Sequence, residues 1–492
     1  METLMPSINL AVIAPMLTVF VWASALLLVD LFLISQDNKR LTGYLALGGL
    51  ALAAIVALPL WGTAASSFTS GPDNPHGMVV LDNYALTLSW ILLLVGGIAI
   101  AIALDYLPRQ GIEQGEFYTL ILFAVGGMLL LVQGTDLIVL FLAVELLSIT
   151  LYVLTAFAYP RLSSEEAAMK YLILGAFAAG FFVYGIALIF GTTGTLNLFD
   201  IGIYLNNHPG ANHTLMLIGT GLVLVAFGFK IALVPFHMWT PDVYEGAPTP
   251  VAAFMSVGTK GAALAALLRI LEIALPTLQS HWLPVLGILA ALTMIVGNVG
   301  AIIQTNVKRM LAYSSIGHAG YILLGVMAVS EHGSEGFLFY LLAYALTNMG
   351  AFAVVIALEQ RGEAAWSLDD FAGLWKRQGA LAVAMAVFML SLAGVPPTAG
   401  FVGKFYIFTA AWESGLGWLA LIGVITSAIA AFFYLRVIVR MFMYEPVRDT
   451  PPFLYRGISI GIGMAFAGTI LFGIMPSLIV SLAHSSLLAL GG

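Results

Sequence analysis

The chain of 492 residues contains no cysteine. Disulfides, iron–sulfur ligation, thiolate zinc sites and c-type haem attachment are thereby excluded. Charge is scarce too, at 9% of residues against about 25% in an ordinary soluble domain. The 18 Lys and Arg are spread along the whole length with no basic cluster, so there is no electrostatic footprint for nucleic acid. The eight histidines show neither HxxxH nor HExxH spacing, and six fall in loops or at the ends of apolar runs. No metal site is implied. What is present is oil: 61% of residues are hydrophobic and the mean hydropathy is +1.01. The net charge of −7 matters less than where the charges lie. The chain reads as an all-α polytopic membrane protein with lipid as its main surrounding.

A helix needs roughly 20 mainly apolar residues to cross the hydrocarbon. Apolar runs between polar or Gly/Pro punctuation give about fourteen spans, at 8–34, 41–62, 79–104, 117–133, 137–159, 165–190, 213–246, 251–275, 282–305, 308–329, 336–359, 379–413, 416–443 and 457–483. The first run is too long for a signal-peptide core and no basic residue precedes it, so it is read as retained.

Lys and Arg in short loops are biased toward the cytoplasm. With both termini outside, one side collects Lys39, Arg40, Arg109, Arg161, Lys308, Arg309, Arg361, Lys376, Arg377, Arg436, Arg440, Arg448 and Arg456, and the other only Arg269. Adding or losing one helix would scramble this asymmetry. Both termini are therefore expected on the outer, periplasmic side. The remaining cations are Lys170, Lys230, Lys260 and Lys404, all within spans.

A charge at the bilayer centre costs on the order of 2.5–3.5 kcal/mol on insertion scales, so each of these lysines needs a reason. Near a helix end a lysine can snorkel to the headgroups, and Lys170 lies only about five residues inside its span. Glu145, in LFLAVELLSITLY, is the only carboxylate near mid-span. Lys170, on the next helix and entering from the same side, is the expected partner in an ion pair if the two helices pack together. Asp30, Glu359 and Glu413 sit near span ends and read as headgroup-facing. His318, in AYSSIGHAGYILLG, lies about ten residues into its span beside hydroxyl residues, and its ordinary titration near neutrality suits proton exchange. A neutral histidine bonded between helices is the plainer alternative.

Two spans carry breaks beside a lysine. FGFKIALVPFHMWTPDVYEGAPTPV places Pro235 five residues after Lys230, and SLAGVPPTAGFVGKF places Pro396 and Pro397 seven to eight residues before Lys404. Proline removes a backbone donor and clashes with the preceding turn, and in a membrane the freed groups must find protein or water. The breaks fall in the seventh and twelfth spans, five apart, as in transporters built from inverted repeats. An odd repeat inverts the second copy, and the lysine precedes one break and follows the other. The predicted organisation within the single membrane domain 1–492 is peripheral helices over 1–110, one five-helix repeat over 116–275, a second over 282–443, and a last helix over 457–492. Gly175 with Ala179, and Gly126 among small neighbours, read as close helix packing.

EGAPTPVAAFMSVGTKGA, FGFKIALVPFHMW and VPPTAGFVGKF together resemble subunit N of respiratory complex I, the proton-pumping NADH:quinone oxidoreductase. The resemblance covers essentially the whole chain. Lys404 where the related M-type usually has glutamate, and the stop soon after the fourteenth span where the L-type runs on, favour the N-type. The resemblance implies a translocase subunit without a redox centre of its own, with NADH, FMN, iron–sulfur clusters and quinone in other subunits. It implies a small K-type membrane subunit on one side, an antiporter-like M-type on the other, and a bacterial plasma membrane around them. It also implies that Glu145 and Lys170 form a coupling pair, that Lys230 and Lys404 are the lysines of the broken helices, that Lys260 connects them, and that His318 lies on the central axis.

Two unit charges 4 Å apart interact by roughly 4 kcal/mol at an effective dielectric of 20. Separating Glu145 from Lys170 would thus change the proton affinity of the next site, and Lys230, Lys260, His318 and Lys404 could load from one side and discharge to the other. A subunit of a multi-subunit sodium/proton antiporter is the alternative on the same architecture, and a purely structural membrane subunit is the third reading.

Overall fold

The computed structural model describes residues 7–35, 38–69, 76–209, 213–360, 365–447 and 452–486. Arg361 and Arg448, both counted in the charge asymmetry, lie outside the described residues. The chain begins with α1 (Leu10–Phe32) and α2 (Arg40–Ala57), then a small hairpin in which β1 (Ala65–Ser67) pairs antiparallel with β2 (Val79–Leu81). There follow α3 (Asn83–Gln110), α4 (Glu116–Gln133), α5 (Leu137–Thr155), α6 (Leu162–Thr193) and the short α7 (Leu198–Asn207). The middle of the chain forms α8 (Thr214–Ile231), α9 (Trp239–Gly246), α10 (Thr249–Phe254) and α11 (Lys260–Arg269). Next come α12 (Gln279–Ile302), α13 (Val307–Met327), α14 (Glu331–Leu358) and the single turn α15 (Leu374–Arg377). The last part is α16 (Gly379–Ala393), α17 (Ala399–Glu413), α18 (Gly417–Met443), α19 (Arg456–Ile474) and α20 (Ser477–His484).

Among the described residues, thirteen helical stretches are long and apolar enough to cross a membrane, and α16 is a shorter apolar helix. The protein is an all-α polytopic membrane protein. Its 213–246 run is not one helix: α8 ends at Ile231, the chain turns at Ala232 with φ +66°, and α9 starts only at Trp239. The 379–413 run divides likewise into α16 and α17 of 15 residues each, with Pro396 and Pro397 between them. Beyond Ile474 the last run also stops, and α20 begins after Pro476. The Thr249–Ala274 span is continuous but winds into π-helix at Met255–Thr259 and again at Ile270–Ala274.

The centre of the bundle is the hydropathic core of α14 and of the Thr249–Ala274 span, both wholly buried in their apolar windows, with α13 nearly so. Lipid tails are as apolar as these side chains, so close approach of backbones rather than water exclusion favours association. At the crossing of α6 and α8, a Cβ on Gly185 would stand 2.7 Å from the Gly219 carbonyl, and one on Gly219 would stand 2.9 Å from the Gly185 carbonyl. Only glycine at both positions permits the contact.

Several charges near span ends are buried rather than headgroup-facing. Asp30 is 3% exposed and takes Lys39 Nζ at 2.8 Å and the Thr42 hydroxyl. Glu359 is 2% exposed and accepts from Thr249 Oγ1 at 2.5 Å and Trp366 Nε1 at 2.8 Å. Lys308 donates to the Ala247 carbonyl at 2.6 Å over the Trp366 ring. Arg269 closes a two-pronged pair with Asp82, both contacts at 3.1 Å. Hydropathy alone could not see these, because protein rather than lipid surrounds the helix ends. Glu413 does reach the surface, where His332 Nδ1 lies 2.8 Å from its Oε2.

Candidate functional site

Each break has a lysine beside it, and at the second the ammonium meets the carbonyl end of a half-helix, where unpaired C=O groups and the helix dipole favour positive charge. Lys230 lies in the last turn of α8, buried, with Nζ donating to Ser148 Oγ at 2.9 Å and Tyr171 Oη at 3.1 Å. Lys404, in α17, reaches back across the second break. Its Nζ donates to the carbonyls of Leu392 and Ala393 at 2.8 and 3.1 Å and to Ser427 Oγ at 2.7 Å. Pro235 falls in the unwound stretch after α8, and Pro396 and Pro397 in the one after α16. In both stretches the last helical carbonyls are partly closed by backbone: Leu233 N–H to Gly228 O, and Val395 N–H to Leu390 O.

Lys260 sits where the first π-turn hands over to α11, so the extra residue of that turn sets the direction of its side chain. Its Nζ donates to the carbonyl and hydroxyl of Ser315 at 2.9 and 2.6 Å, above the ring of Tyr244. His318 is one turn further along α13. Its Nδ1 lies 2.6 Å from Tyr340 Oη and its Nε2 3.0 Å from Tyr434 Oη. Tyr434 Oη in turn shares a 2.5 Å hydrogen bond with Ser314 Oγ. A neutral imidazole has one donor and one acceptor nitrogen, so one of the two tyrosines donates to it while the other accepts. Tyr344 stacks on the imidazole and Tyr321 meets it edge-on, and Tyr321 also lies 4.9 Å beneath the ammonium of Lys404.

Lys230, Lys260, His318 and Lys404 thus line one polar seam through an apolar interior, each no more than 4% exposed. Between Lys230 and Lys260 the seam is aromatic: Tyr171 stacks on Trp239 at 4.6 Å, and Trp239 meets Tyr244 edge-on.

Glu145 and Lys170 are not paired. Lys170 Nζ is held by Asp242 Oδ2 at 2.8 Å and by Glu166 Oε1, one turn earlier, at 2.7 Å. Glu145 forms no hydrogen bond or ion pair among the described residues, and the charge it feels is that of Lys230, bound to Ser148 one turn along the same helix. The pairing expected from sequence fails because an acid on the adjoining half-helix α9 outcompetes the one on α5. Asp242 also takes Arg309 Nη1 at 2.8 Å, and Arg309 reaches Glu245 at 2.7 Å.

Sequence reasoning missed Ser148, Tyr171, Asp242, Arg309, Tyr340 and Tyr434. The hydroxyl pair in AYSSIGHAG pointed toward Ser314 and Ser315. Nothing in an apolar run marks Tyr434 as facing inward.

Broken half-helices with lysines at their carbonyl ends, set in a bundle of apolar spans, define an antiporter-like membrane subunit. The sequence profile described as NADH:quinone oxidoreductase/Mrp antiporter, TM, matches residues 134–430. NADH-quinone oxidoreductase subunit N of Chloroflexus aggregans is 65% identical over 99% of both chains. A chain of respiratory complex I from Thermus thermophilus is 35% identical, with a TM-score of 0.80 over 96% of this chain and 99% of that one. A chain of the Mrp complex from a Dietzia species matches the fold at a TM-score of 0.85 with 22% identity, over 97% of each. The chain belongs to the NADH:quinone oxidoreductase/Mrp antiporter transmembrane family, and within it to the NADH-quinone oxidoreductase subunit N group.

Proposed function

We propose that the chain is a proton-translocating subunit of a complex I-type NADH:quinone oxidoreductase, working beside a K-type and an M-type membrane subunit. Nicotinamide, flavin, iron–sulfur and quinone chemistry belongs to other subunits, and this chain transfers only protons. Residues 116–275 and 282–443 act as two inverted five-helix repeats, one holding Lys230 and Lys260 and the other His318 and Lys404, with both termini periplasmic.

The observation that carries this reading is the buried seam from Lys230 to Lys404. A lysine ammonium can pass its proton to a neighbouring acceptor, and in a low-dielectric interior its charge state responds strongly to nearby charges. Hydroxyl groups accept a proton on one lone pair while donating their own. A proton leaving Lys260 meets Ser315. One reaching Ser314 continues through Tyr434 to His318, and Lys404 lies beyond the Tyr321 ring. Water completes the steps between. A change in the field of Glu145 alters the balance at Lys230, and quinone reduction elsewhere supplies the energy.

The test is pumping by the reconstituted complex. Lys230→Ala or Glu145→Ala is expected to suppress proton translocation and quinone-linked turnover together. Normal translocation in both variants overturns the reading, and sodium-dependent transport without an electron donor assigns the antiporter function instead.

A further inference from the structure

The Thr249–Ala274 span and α14 pack against each other in the buried centre of the bundle. Ser256, in the π-turn one helical turn before Lys260, donates its hydroxyl proton to the Ala253 carbonyl at 2.6 Å and receives Asn348 Nδ2 at 2.6 Å. A hydroxyl has only one proton to give. With that proton committed to Ala253, the Asn348 atom facing Ser256 is the nitrogen, and Oδ1 points elsewhere. Asn348 is fully buried, and its Oδ1 has no hydrogen-bond partner among the described residues. Ordered water is the usual partner of such a group.

Two more unmet groups lie close by. An ammonium has three donors, and both hydrogen bonds of Lys260 Nζ among the described residues go to Ser315. The Tyr244 ring lies 5.7 Å from that ammonium, and the Tyr244 hydroxyl, near Ser315, is buried without a hydrogen-bond partner among the described residues. Tyr344, one turn before Asn348 on α14, donates to the Ser256 carbonyl at 3.4 Å and also lies near Ser315. Ser256 and Lys260 on one helix thus face Asn348 and Tyr344 on the other, one turn apart on each. A turn rises about 5.4 Å and a hydrogen-bonded hop spans about 2.7–3.2 Å, so a water on Asn348 Oδ1 stands one or two hops from the Lys260 site.

We propose that Asn348 is a positioning residue for protons at Lys260: its Oδ1 anchors an internal water beside the π-turn, and that water, with the Tyr244 hydroxyl, gives the ammonium an acceptor besides Ser315. The inference deepens the proton-pumping reading above and rests on it.

A density map of the intact complex, fine enough to show ordered water, tests it without any variant. A peak is expected within about 3.2 Å of Asn348 Oδ1, and a dry amide overturns the proposal. Asn348→Leu keeps the size of the side chain and removes both polar atoms. Ser256 keeps its bond to Ala253, no buried group is orphaned, and assembly is expected. Pumping by the reconstituted complex should fall about fivefold, the worth of one hydrogen bond entering the transfer barrier. The D2O isotope effect on quinone turnover should rise as the proton step comes to limit the rate, whereas a packing defect leaves it at the parental value. Thr347→Val is the control: the Thr347 hydroxyl faces Ser391 of α16 and Thr469 of α19, away from Lys260, and its loss should leave pumping at the parental rate. Parental pumping or lost assembly in Asn348→Leu, an unchanged isotope effect, or an equal loss in Thr347→Val would each overturn the proposal. Lys230→Ala, run in parallel, keeps the two ideas apart: normal pumping there defeats the underlying reading, whereas normal pumping in Asn348→Leu alone defeats only the role of Asn348.

Discussion

Lys404 Nζ donates to the carbonyl oxygens of Leu392 and Ala393 at 2.8 and 3.1 Å, so a side chain of α17 closes the carbonyl end of α16. The positive charge is needed for the fold of the break, and the removable proton for transport. The two needs can be separated. Arginine keeps the charge and can satisfy the carbonyls, but its guanidinium does not release a proton in proteins. Lys404→Arg should therefore assemble at near-parental levels while proton pumping drops by at least an order of magnitude. Robust pumping by the arginine variant would show that Lys404 serves the break alone.

Gly394 leads out of α16 with φ +86°, and a Cβ there would stand 2.9 Å from Cδ of Lys404. Gly394→Ala should cost about 1–2 kcal/mol from the left-handed backbone and push the lysine stem off its carbonyls. Gly415, between α17 and α18, has φ +77° but open space around the missing Cβ. Gly415→Ala carries the strain without the displacement. Both variants should lose comparable thermal resistance, measured as the half-life of the complex at raised temperature, but only Gly394→Ala should lose pumping, by severalfold. Equal pumping in the two would separate Gly394 from Lys404.

The breaks were legible because two signals coincide at each: prolines that cannot continue a helix, and a lysine too expensive to leave in lipid. The buried lysines were legible for the second reason alone, and His318 only by its depth and its hydroxyl neighbours. What could not be read was who faces whom. Residue counting put Glu145 and Lys170 at similar depths on consecutive helices, yet pairing depends on rotation about each helix axis and on Asp242, which lies in a stretch that looked like the tail of a single long span. Arg269 and Lys308 looked like surface cations by position. Both are buried because protein rather than headgroup meets them: Asp82 takes Arg269, and the Ala247 carbonyl and the Trp366 ring take Lys308.

Arg269, 1% exposed, is the one cation that stood against the charge asymmetry, and its guanidinium is neutralised by Asp82. Asp82 also caps α3, accepting from Ala85 N–H at 2.7 Å. Asparagine caps as well as aspartate, so Asp82→Asn isolates the loss of charge. Leaving a buried guanidinium unpaired should cost about 3–5 kcal/mol, read as a collapse of the thermal half-life of the complex. Adding Arg269→Met removes the orphaned charge and should recover most of that loss. An unchanged half-life in Asp82→Asn would mean that water reaches Arg269.

Tyr434 offers the sharpest test of conduction past His318, because its hydroxyl is the sole hydrogen-bonded link drawn between Ser314 and the imidazole among the described residues. Tyr434→Phe removes one oxygen and keeps the ring that packs against Phe433. The direct loss is a hydrogen bond of about 1 kcal/mol, roughly a fivefold change if it enters the transfer barrier in full. Tyr118→Phe is the matched control, since the Tyr118 hydroxyl is buried without a hydrogen-bond partner and its removal should be neutral or slightly stabilising. Pumping by proteoliposomes should fall about fivefold in Tyr434→Phe and stay at the parental rate in Tyr118→Phe, with assembly equal in both. If both pump at the parental rate, protons bypass Tyr434, and the passage from Ser314 to His318 is carried by water alone.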